Sequence, residues 1–296
     1  MTDRTIGIIG VGLMGHGIAI NIVKKGWRLN FLHHEGNQPT ADLAALGAVA
    51  FDEPQALAEA SDVVILCLNG SPQVEAVMLG NGGVLEALRP GSVVVDCSTA
   101  VPSSTELIAG QVAAAGSRFM DAAMTRTPLE AAEGRLNLLI GAEEGLYAEM
   151  EPLLSSFSEN RMHAGDVGAG HTLKLLHNFV SLGSVLLISE AAACASASGI
   201  EPAVLIDALR KGGGHGAALD RVAPFLLEGD TSRMKFTVAN AQKDLAYYGR
   251  LAAETGAEAQ IAAGVLAALA GLVEAGMAGR FLSEASAAFA ETAAKG

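Results

Sequence analysis

Aromatic side chains are scarce, at 4% of 296 residues with one tryptophan, so the interior has to be built from Ala, Leu, Val and Ile. Small side chains let helices approach closely, which suits tightly packed helical layers. Cysteine is scarce too. Cys67, Cys97 and Cys194 lie far apart and form no C-x-x-C. That argues against a metal knuckle and a disulfide framework, and favours a reducing, cytoplasmic setting with no metal. Basic residues are outnumbered, 19 Lys and Arg against 32 Asp and Glu, for a net charge of -13. Such a surface repels phosphate backbones, so nucleic acid is not an expected partner. No long uncharged run appears either. Ile6 to Ile9 is too brief for a signal peptide. Leu173 to Ile188 is interrupted by Lys174, His177 and Asn178, and Ile261 to Val273 is too short for a bilayer. Both read as buried helices of a soluble protein without a membrane partner.

What is present is a large apolar fraction, 50% against 17% charged, which supports a well-buried core. The length fits two domains. The first half alternates short apolar strands with helices. Strands are expected at Thr5–Ile9, Arg28–Leu32, Val63–Leu68, Ser92–Val95, Arg118–Met120 and Leu136–Ile140. Helices are expected at Leu13–Lys25, Pro102–Ala115 and Glu143–Ser156, among others. Continuous apolar strands between helices imply a doubly wound, mostly parallel sheet covered on both faces. After Gly165 no strand pattern remains. A long helix is expected over Gly168–Ser198, then shorter ones at Pro202–Arg210, Ala217–Leu227 and Val238–Glu254, and two more. The expected division is an α/β domain over 1–164 and an all-α domain over 165–296.

Gly10-Val11-Gly12-Leu13-Met14-Gly15 follows the first strand and opens the first helix, inside one βαβ unit. In that context G-x-G-x-x-G is a dinucleotide fingerprint. Gly10 makes the tight turn, Gly12 admits a pyrophosphate, and Gly15 lets helix pack on strand. The helix N-terminus adds unpaired N–H groups and partial positive charge. The second strand should end in an acid that holds the ribose of NAD. Here His33 and His34 stand there, followed by Glu35. A histidine pair tolerates a 2′-phosphate, so the cofactor is NAD or NADP with a lean to NADP; two solvated loop histidines fit equally.

Four separated stretches carry a resemblance. They are the Gly10–Gly15 fingerprint, Asp96-Cys97-Ser98-Thr99, the run from Gly165 through Gly168, Gly170 and Lys174 to Asn178, and Lys243-Asp244-Leu245. In order and spacing they resemble the β-hydroxyacid dehydrogenase family, which includes 3-hydroxyisobutyrate dehydrogenases, tartronate semialdehyde reductases and sulfolactaldehyde reductases. The resemblance implies a Rossmann domain (1–164) followed by an all-α domain (165–296), joined by the long helix, a cleft between them for the active site, and a homodimer or homotetramer. Fingerprint, strand ends and resemblance together make Gly10, Gly12, Leu13, Met14, Gly15, His33, His34, Leu68, Asn69, Thr99 and Lys243 the expected cofactor residues. Ser98, Thr99, Thr125, Arg126, Thr127, His177 and Asn178 are the expected substrate residues.

Hydride transfer to or from a carbonyl carbon needs a proton partner at the oxygen. Lys174 is the candidate. It stands among Leu173, Leu175 and Leu176, and burial lowers a lysine's pKa towards the range acid–base work requires. Asn178 is four residues on and shares its face, as does His171, which is expected to line the same cleft. Spacing alone also fits a snorkelling surface lysine. Ser98 or Thr99 ahead of Pro102 would equally serve as a helix cap, and Lys243 could be a surface ion pair. The chain departs from the family at Asp121-Ala122-Ala123-Met124-Thr125-Arg126-Thr127, where D-x-P-V-S-G-G is usual. Arg126 and Thr127 replace two glycines, a pair similar to that of sulfolactaldehyde reductases. An arginine fork suits carboxylate, sulfonate or phosphate oxygens, although a loop arginine can also face solvent. The expected substrate is therefore a small anionic hydroxyacid or semialdehyde. An imine reductase, or a dinucleotide-sensing protein without catalysis, are the alternatives. Lys174 with Asn178 argues against both.

Overall fold

The computed structural model describes residues 4–293. Its strands are β1 Thr5–Ile9, β2 Arg28–Leu32, β3 Val49–Phe51, β4 Val63–Leu66, β5 Val93–Asp96, β6 Arg118–Thr125, β7 Leu136–Gly141 and β8 Ser158–Gly165. Its α-helices are α1 Gly15–Lys24, α2 Ala41–Ala45, α3 Pro54–Glu59, α4 Ser71–Leu79, α5 Pro102–Ala114, α6 Pro128–Ala132 and α7 Glu144–Leu154, then α8 Ala169–Ala197, α9 Pro202–Lys211, α10 Ala217–Glu228, α11 Val238–Thr255, α12 Gln260–Glu274 and α13 Ala285–Ala293.

The strands form one eight-stranded sheet in the order β3-β2-β1-β4-β5-β6-β7-β8. All neighbours are parallel except β6 and β7. Alternation along each strand serves two cores. Ile6, Ile8, Val63, Ile65, Val93 and Val95 enter one cluster, with α1 and α7 residues such as Ile18, Ile22 and Met150. Ile9, Val64, Leu66 and Val94 enter the other, with Leu57, Val74 and Ile108. Each such side chain contributes about 1.5–3 kcal/mol on burial, which is why the strands read as unbroken apolar runs. From β1 the chain winds outward to β2 on one side and to β4 on the other. The carboxyl ends of β1 and β4 therefore flank the switch point where such sheets bind ligands.

Two strands fall outside the pattern of long buried apolar runs. β3 is apolar but has only three residues, Val49-Ala50-Phe51, none of them buried, and β8 is polar and largely exposed. They are the two edges. β6 runs to Thr125, five residues past its expected end, because Asp121 to Thr125 pair antiparallel with β7. Helix limits lie within about two residues of the expected ones, the usual uncertainty at helix ends.

Packing divides the chain between Lys174 and Leu175, inside α8. The first turn of α8 belongs to the sheet unit because Asp121 accepts its Gly168 and His171 N–H groups, each at 2.7 Å. The second unit is helical. Leu182, Val185 and Leu186 of α8 pack with Val222, Val238, Leu245, Leu269 and Leu272. By length and composition α8 could cross a membrane, yet this part of it is committed to that helical core.

Candidate active site

The glycine turn has the shape a dinucleotide needs. Gly10 has φ +99°, and a Cβ there would lie 2.2 Å from the Cys67 carbonyl oxygen. A Cβ on Gly15 would lie 1.9 Å from the Gly10 oxygen. At Gly12 a Cβ would meet no protein atom within 4 Å. The first two glycines thus satisfy the fold, while Gly12 leaves room for a ligand. Helix α1 follows with neither a side-chain cap nor an acidic residue in its first turn. Its N-terminal amides and dipole are left for an anion. Leu13 is exposed and Met14 half-buried beside them. These residues fit a pyrophosphate.

At the far end of β2, His33 and His34 are exposed. The Nδ1 of His34 accepts the Gly36 N–H at 3.0 Å. His33 stands 3.5 Å from Asp52, just past β3. Sequence reasoning missed that carboxylate, because the strand bringing it there is an edge of only three residues, too short to read as a strand.

Beyond β4 and β5 the next candidates converge. Ser98 Oγ accepts the Leu68 N–H at 2.9 Å, so the two loops are one structure, with Asn69 and Thr99 the next residues along each. Ser98 is therefore no helix cap. Neither is Thr99: the residue preceding α5 is Val101, without a side-chain cap, and its N–H goes to Ser71 Oγ at 2.8 Å. The loop is fixed from below. Asp96 Oδ1 accepts the Ser98 N–H at 2.9 Å.

Lys174 lies in the second turn of α8 and is 8% exposed. It is no surface lysine. His171, three residues earlier, does not line a cleft as expected; it is fully buried. Its Nδ1 is 2.7 Å from Thr105 Oγ1, and its Nε2 is 3.9 Å from Asp96 Oδ2. Asp121 closes the group from the other side, 3.9 Å from Nδ1. The glycine at 170 makes room for this, since a Cβ there would lie 2.7 Å from Asp121 Oδ2. Burial pushes the Asp96 carboxyl up, against the opposing pull of His171 and Ser98. It also raises the neighbouring thiols, Cys67 to about 12 and Cys97 well above its usual value. Both are therefore neutral, inert packing groups near pH 7.

The departure from the family motif is visible in the backbone. Arg126 has φ +81°, the one left-handed non-glycine residue in the described chain. A glycine would suit that position, and an arginine there is strained by about 1–2 kcal/mol. Its guanidinium is paired with Glu159 of β8 and the Arg135 carbonyl oxygen, and it holds the Glu159 carboxyl below the usual range. Thr125 is buried and its hydroxyl accepts from Asn137 at 3.2 Å. Thr127 caps α6 in a reciprocal box with Glu130, its hydroxyl donating to that carboxylate at 2.5 Å.

In the helical unit the last two motifs meet. Asn178 is buried, and its amide donates to Asp244 Oδ2 at 2.6 Å. The other oxygen of Asp244 is 2.9 Å from Lys243 Nζ, which also lies 5.3 Å from the Tyr247 ring centroid. Asp244 is thus the link between the motifs. His177 is exposed, with Nδ1 3.0 Å from Asn178 Oδ1.

Known proteins resemble both parts of the chain. Residues 5–165 match the NAD binding domain of 6-phosphogluconate dehydrogenase. Residues 168–288 match the NAD-binding domain of NADP-dependent 3-hydroxyisobutyrate dehydrogenase. The chain is 33% identical to 2-(hydroxymethyl)glutarate dehydrogenase of Eubacterium barkeri, over 86% of this chain and 83% of that one. It is 32% identical to 2-hydroxy-3-oxopropionate reductase of Escherichia coli, over 81% of each. The fold matches that of Mycobacterium tuberculosis 3-hydroxyisobutyrate dehydrogenase solved with L-serine, with TM-score 0.86 over 97% of this chain and 99% of that one at 24% identity.

Proposed function

Because the chain belongs to the β-hydroxyacid dehydrogenase family and is an NAD(P)-dependent oxidoreductase acting on CH–OH groups, we propose that it interconverts a small anionic 3-hydroxyacid, or its sulfonate analogue, and the matching semialdehyde. The observation that carries the reading is Lys174, a buried amine on α8, one turn before an asparagine whose amide is itself held. The two sequence relatives are named for small carboxylate substrates, which supports the substrate class.

A nicotinamide dinucleotide, when bound, would supply or accept the hydride. The turn shaped by Gly10 and Gly15, open at Gly12, and the first amides of α1 would hold its pyrophosphate, and the Leu68–Asn69 and Ser98–Thr99 loops would serve its reactive end. Lys174 gives a proton to the carbonyl oxygen in reduction and takes it from the hydroxyl in oxidation. Asn178 keeps its amide oriented through Asp244. Ser98, Thr99 and Thr125 offer hydroxyls to the substrate, and Arg126 exchanges Glu159 for its acid group. His33 and His34 favour a 2′-phosphate, and Asp52 beside His33 works against it, so NADP is preferred by a small margin.

The test is a panel of short semialdehydes with terminal carboxylate or sulfonate, run with NADH and NADPH in parallel on parent and Lys174→Ala. Turnover of an anionic semialdehyde by the parent, and a loss of about 100- to 10,000-fold in kcat in the variant with cofactor affinity kept, is expected. Full turnover by Lys174→Ala removes the proton role. Parental turnover that is indifferent to the substrate's acid group removes the substrate class.

A further inference from the structure

The sheet unit holds a polar cluster that the mechanism above does not use. Asp96, at the last position of β5, and Asp121, in β6, are carboxylates with 1% and 0% exposure, and His171 between them is fully buried. Every oxygen but one has a donor. Asp96 Oδ1 takes the Ser98 N–H, and Asp121 takes the N–H groups of Gly168 and His171. The atoms left over are Asp96 Oδ2 and His171 Nε2, and they face each other at 3.9 Å.

That pair requires a proton. If Nδ1–H donates to Thr105, then Nε2 is bare unless the ring is charged or Asp96 is an acid. If the Thr105 hydroxyl donates to Nδ1 instead, then Nε2 carries hydrogen towards the carboxylate. A bare nitrogen facing an ionised oxygen in a dry interior would leave two acceptors unsatisfied, at about 1–3 kcal/mol each. In every tenable state one proton lies between the ring and Asp96. The cluster therefore joins the start of α8 to the loop whose Ser98 hydroxyl holds the Leu68 amide.

We infer that His171 is a positioning residue, which clamps the first turns of α8, and so Lys174, in register with the Ser98 and Leu68 loops by bridging Asp96, Asp121 and Thr105. A packing role would need only volume and an apolar surface. This arrangement places charged groups, at a cost of desolvation, where the two loops and the lysine have to be held to a fraction of an ångström. The inference rests on the role of Lys174 given above.

His171→Leu/Asp96→Asn removes the ring nitrogens and the charge that would be left unpaired, and His171→Gln keeps hydrogen-bonding ends. Thr105→Val is nearly isosteric and takes away the ring's partner, together with a 3.2 Å hydrogen bond to the Val101 carbonyl inside α5's first turn. For each, kcat, substrate KM, the cofactor Kd by nucleotide fluorescence, and the melting temperature are measured. The double variant is expected to lose on the order of 100-fold in kcat, the scale of a small misplacement, with cofactor Kd within about threefold. His171→Gln should recover most of that loss, and Thr105→Val should lose several-fold in kcat alone. Parental kcat in a folded double variant, or in Thr105→Val if the double variant does not fold, overturns the inference. So does a cofactor Kd that weakens in step with kcat, which would mean a collapsed nucleotide site. Parental kcat in Lys174→Ala would instead refute the role of the lysine, with the His171 variants judged on their own kcat.

Discussion

Gly12→Ala separates the needs of the fold from those of the ligand. A methyl at Gly12 meets no protein atom within 4 Å, and the residue is outside the left-handed region. The unliganded variant should therefore be as stable as the parent, or gain about 0.4–1 kcal/mol from a stiffer unfolded chain. A ligand phosphate approaching the same amides would meet that methyl. Losing one charge-assisted hydrogen bond costs about 1.5–3 kcal/mol, or roughly 10- to 150-fold in Kd. Gly10→Ala is the contrast. It adds about 1–2 kcal/mol for φ +99° to a Cβ placed 2.2 Å from the Cys67 oxygen. Against a total stability of about 5–15 kcal/mol, that variant should melt far lower without any ligand. Thermal melts with and without NADPH, and titration of nucleotide fluorescence, read both. A Gly12→Ala protein that binds with parental Kd, or that melts as low as Gly10→Ala, would refute the reasoning.

Arg126→Gly releases the strained backbone, about 1–2 kcal/mol, against about 0.5–1 kcal/mol for glycine's extra freedom and the loss of the exposed bonds to Glu159 and the Arg135 carbonyl, so melting should change little while KM for anionic substrates rises about tenfold or more. An unchanged KM across carboxylates and sulfonates would remove the anion grip. Glu149 tests acid stability. Hydrogen bonds from Arg118, then Arg4, depress its pKa from 4.5 to about 2. The folded value lies below the unfolded one, so the contribution is complete above pH 4.5 and is lost as pH falls towards 2. The carboxylate is about a third exposed, and screening limits the term to about 1 kcal/mol. Glu149→Gln should flatten the acid limb of denaturant midpoints across that window; an unaltered limb would exclude the pair as a contributor.

Most of the architecture is legible in the residues because the sheet is buried on both faces. Ile6-Gly7-Ile8-Ile9 and Val93-Val94-Val95 can only be interior strands, and the change of pattern after Gly165 marks the helical unit. The edges were not legible. Ser158 to Gly165 is polar because solvent covers much of it, and with it Glu159, the partner of Arg126, was hidden. Spacing placed Lys174 and Asn178 on one helix but could not supply their neighbours. His171 shares that spacing yet is fully buried against Asp96 and Thr105. One signal could have warned of this. Asp96 ends an otherwise wholly apolar strand, and a carboxylate in such a place needs partners from elsewhere in the chain.

The two pinned residues on α8 give Lys174 its meaning. Three residues before it, the His171 amide and ring are tied to Asp121, Thr105 and Asp96. Four residues after it, Asn178 is tied to Asp244, which also engages Lys243. A lysine serving only as a solvated charge would need neither anchor, because its long stem finds water from any helix position. Proton transfer is different, since the amine must meet one oxygen within hydrogen-bond reach, about 2.6–3.2 Å. The helix supplies that constancy because its rise and turn are fixed between anchors that are themselves buried. The dinucleotide fingerprint says which kind of cofactor is used. On the proposed role of Lys174, substitutions in the anchored stretch from His171 to Asn178 should alter kcat while leaving nucleotide affinity in place.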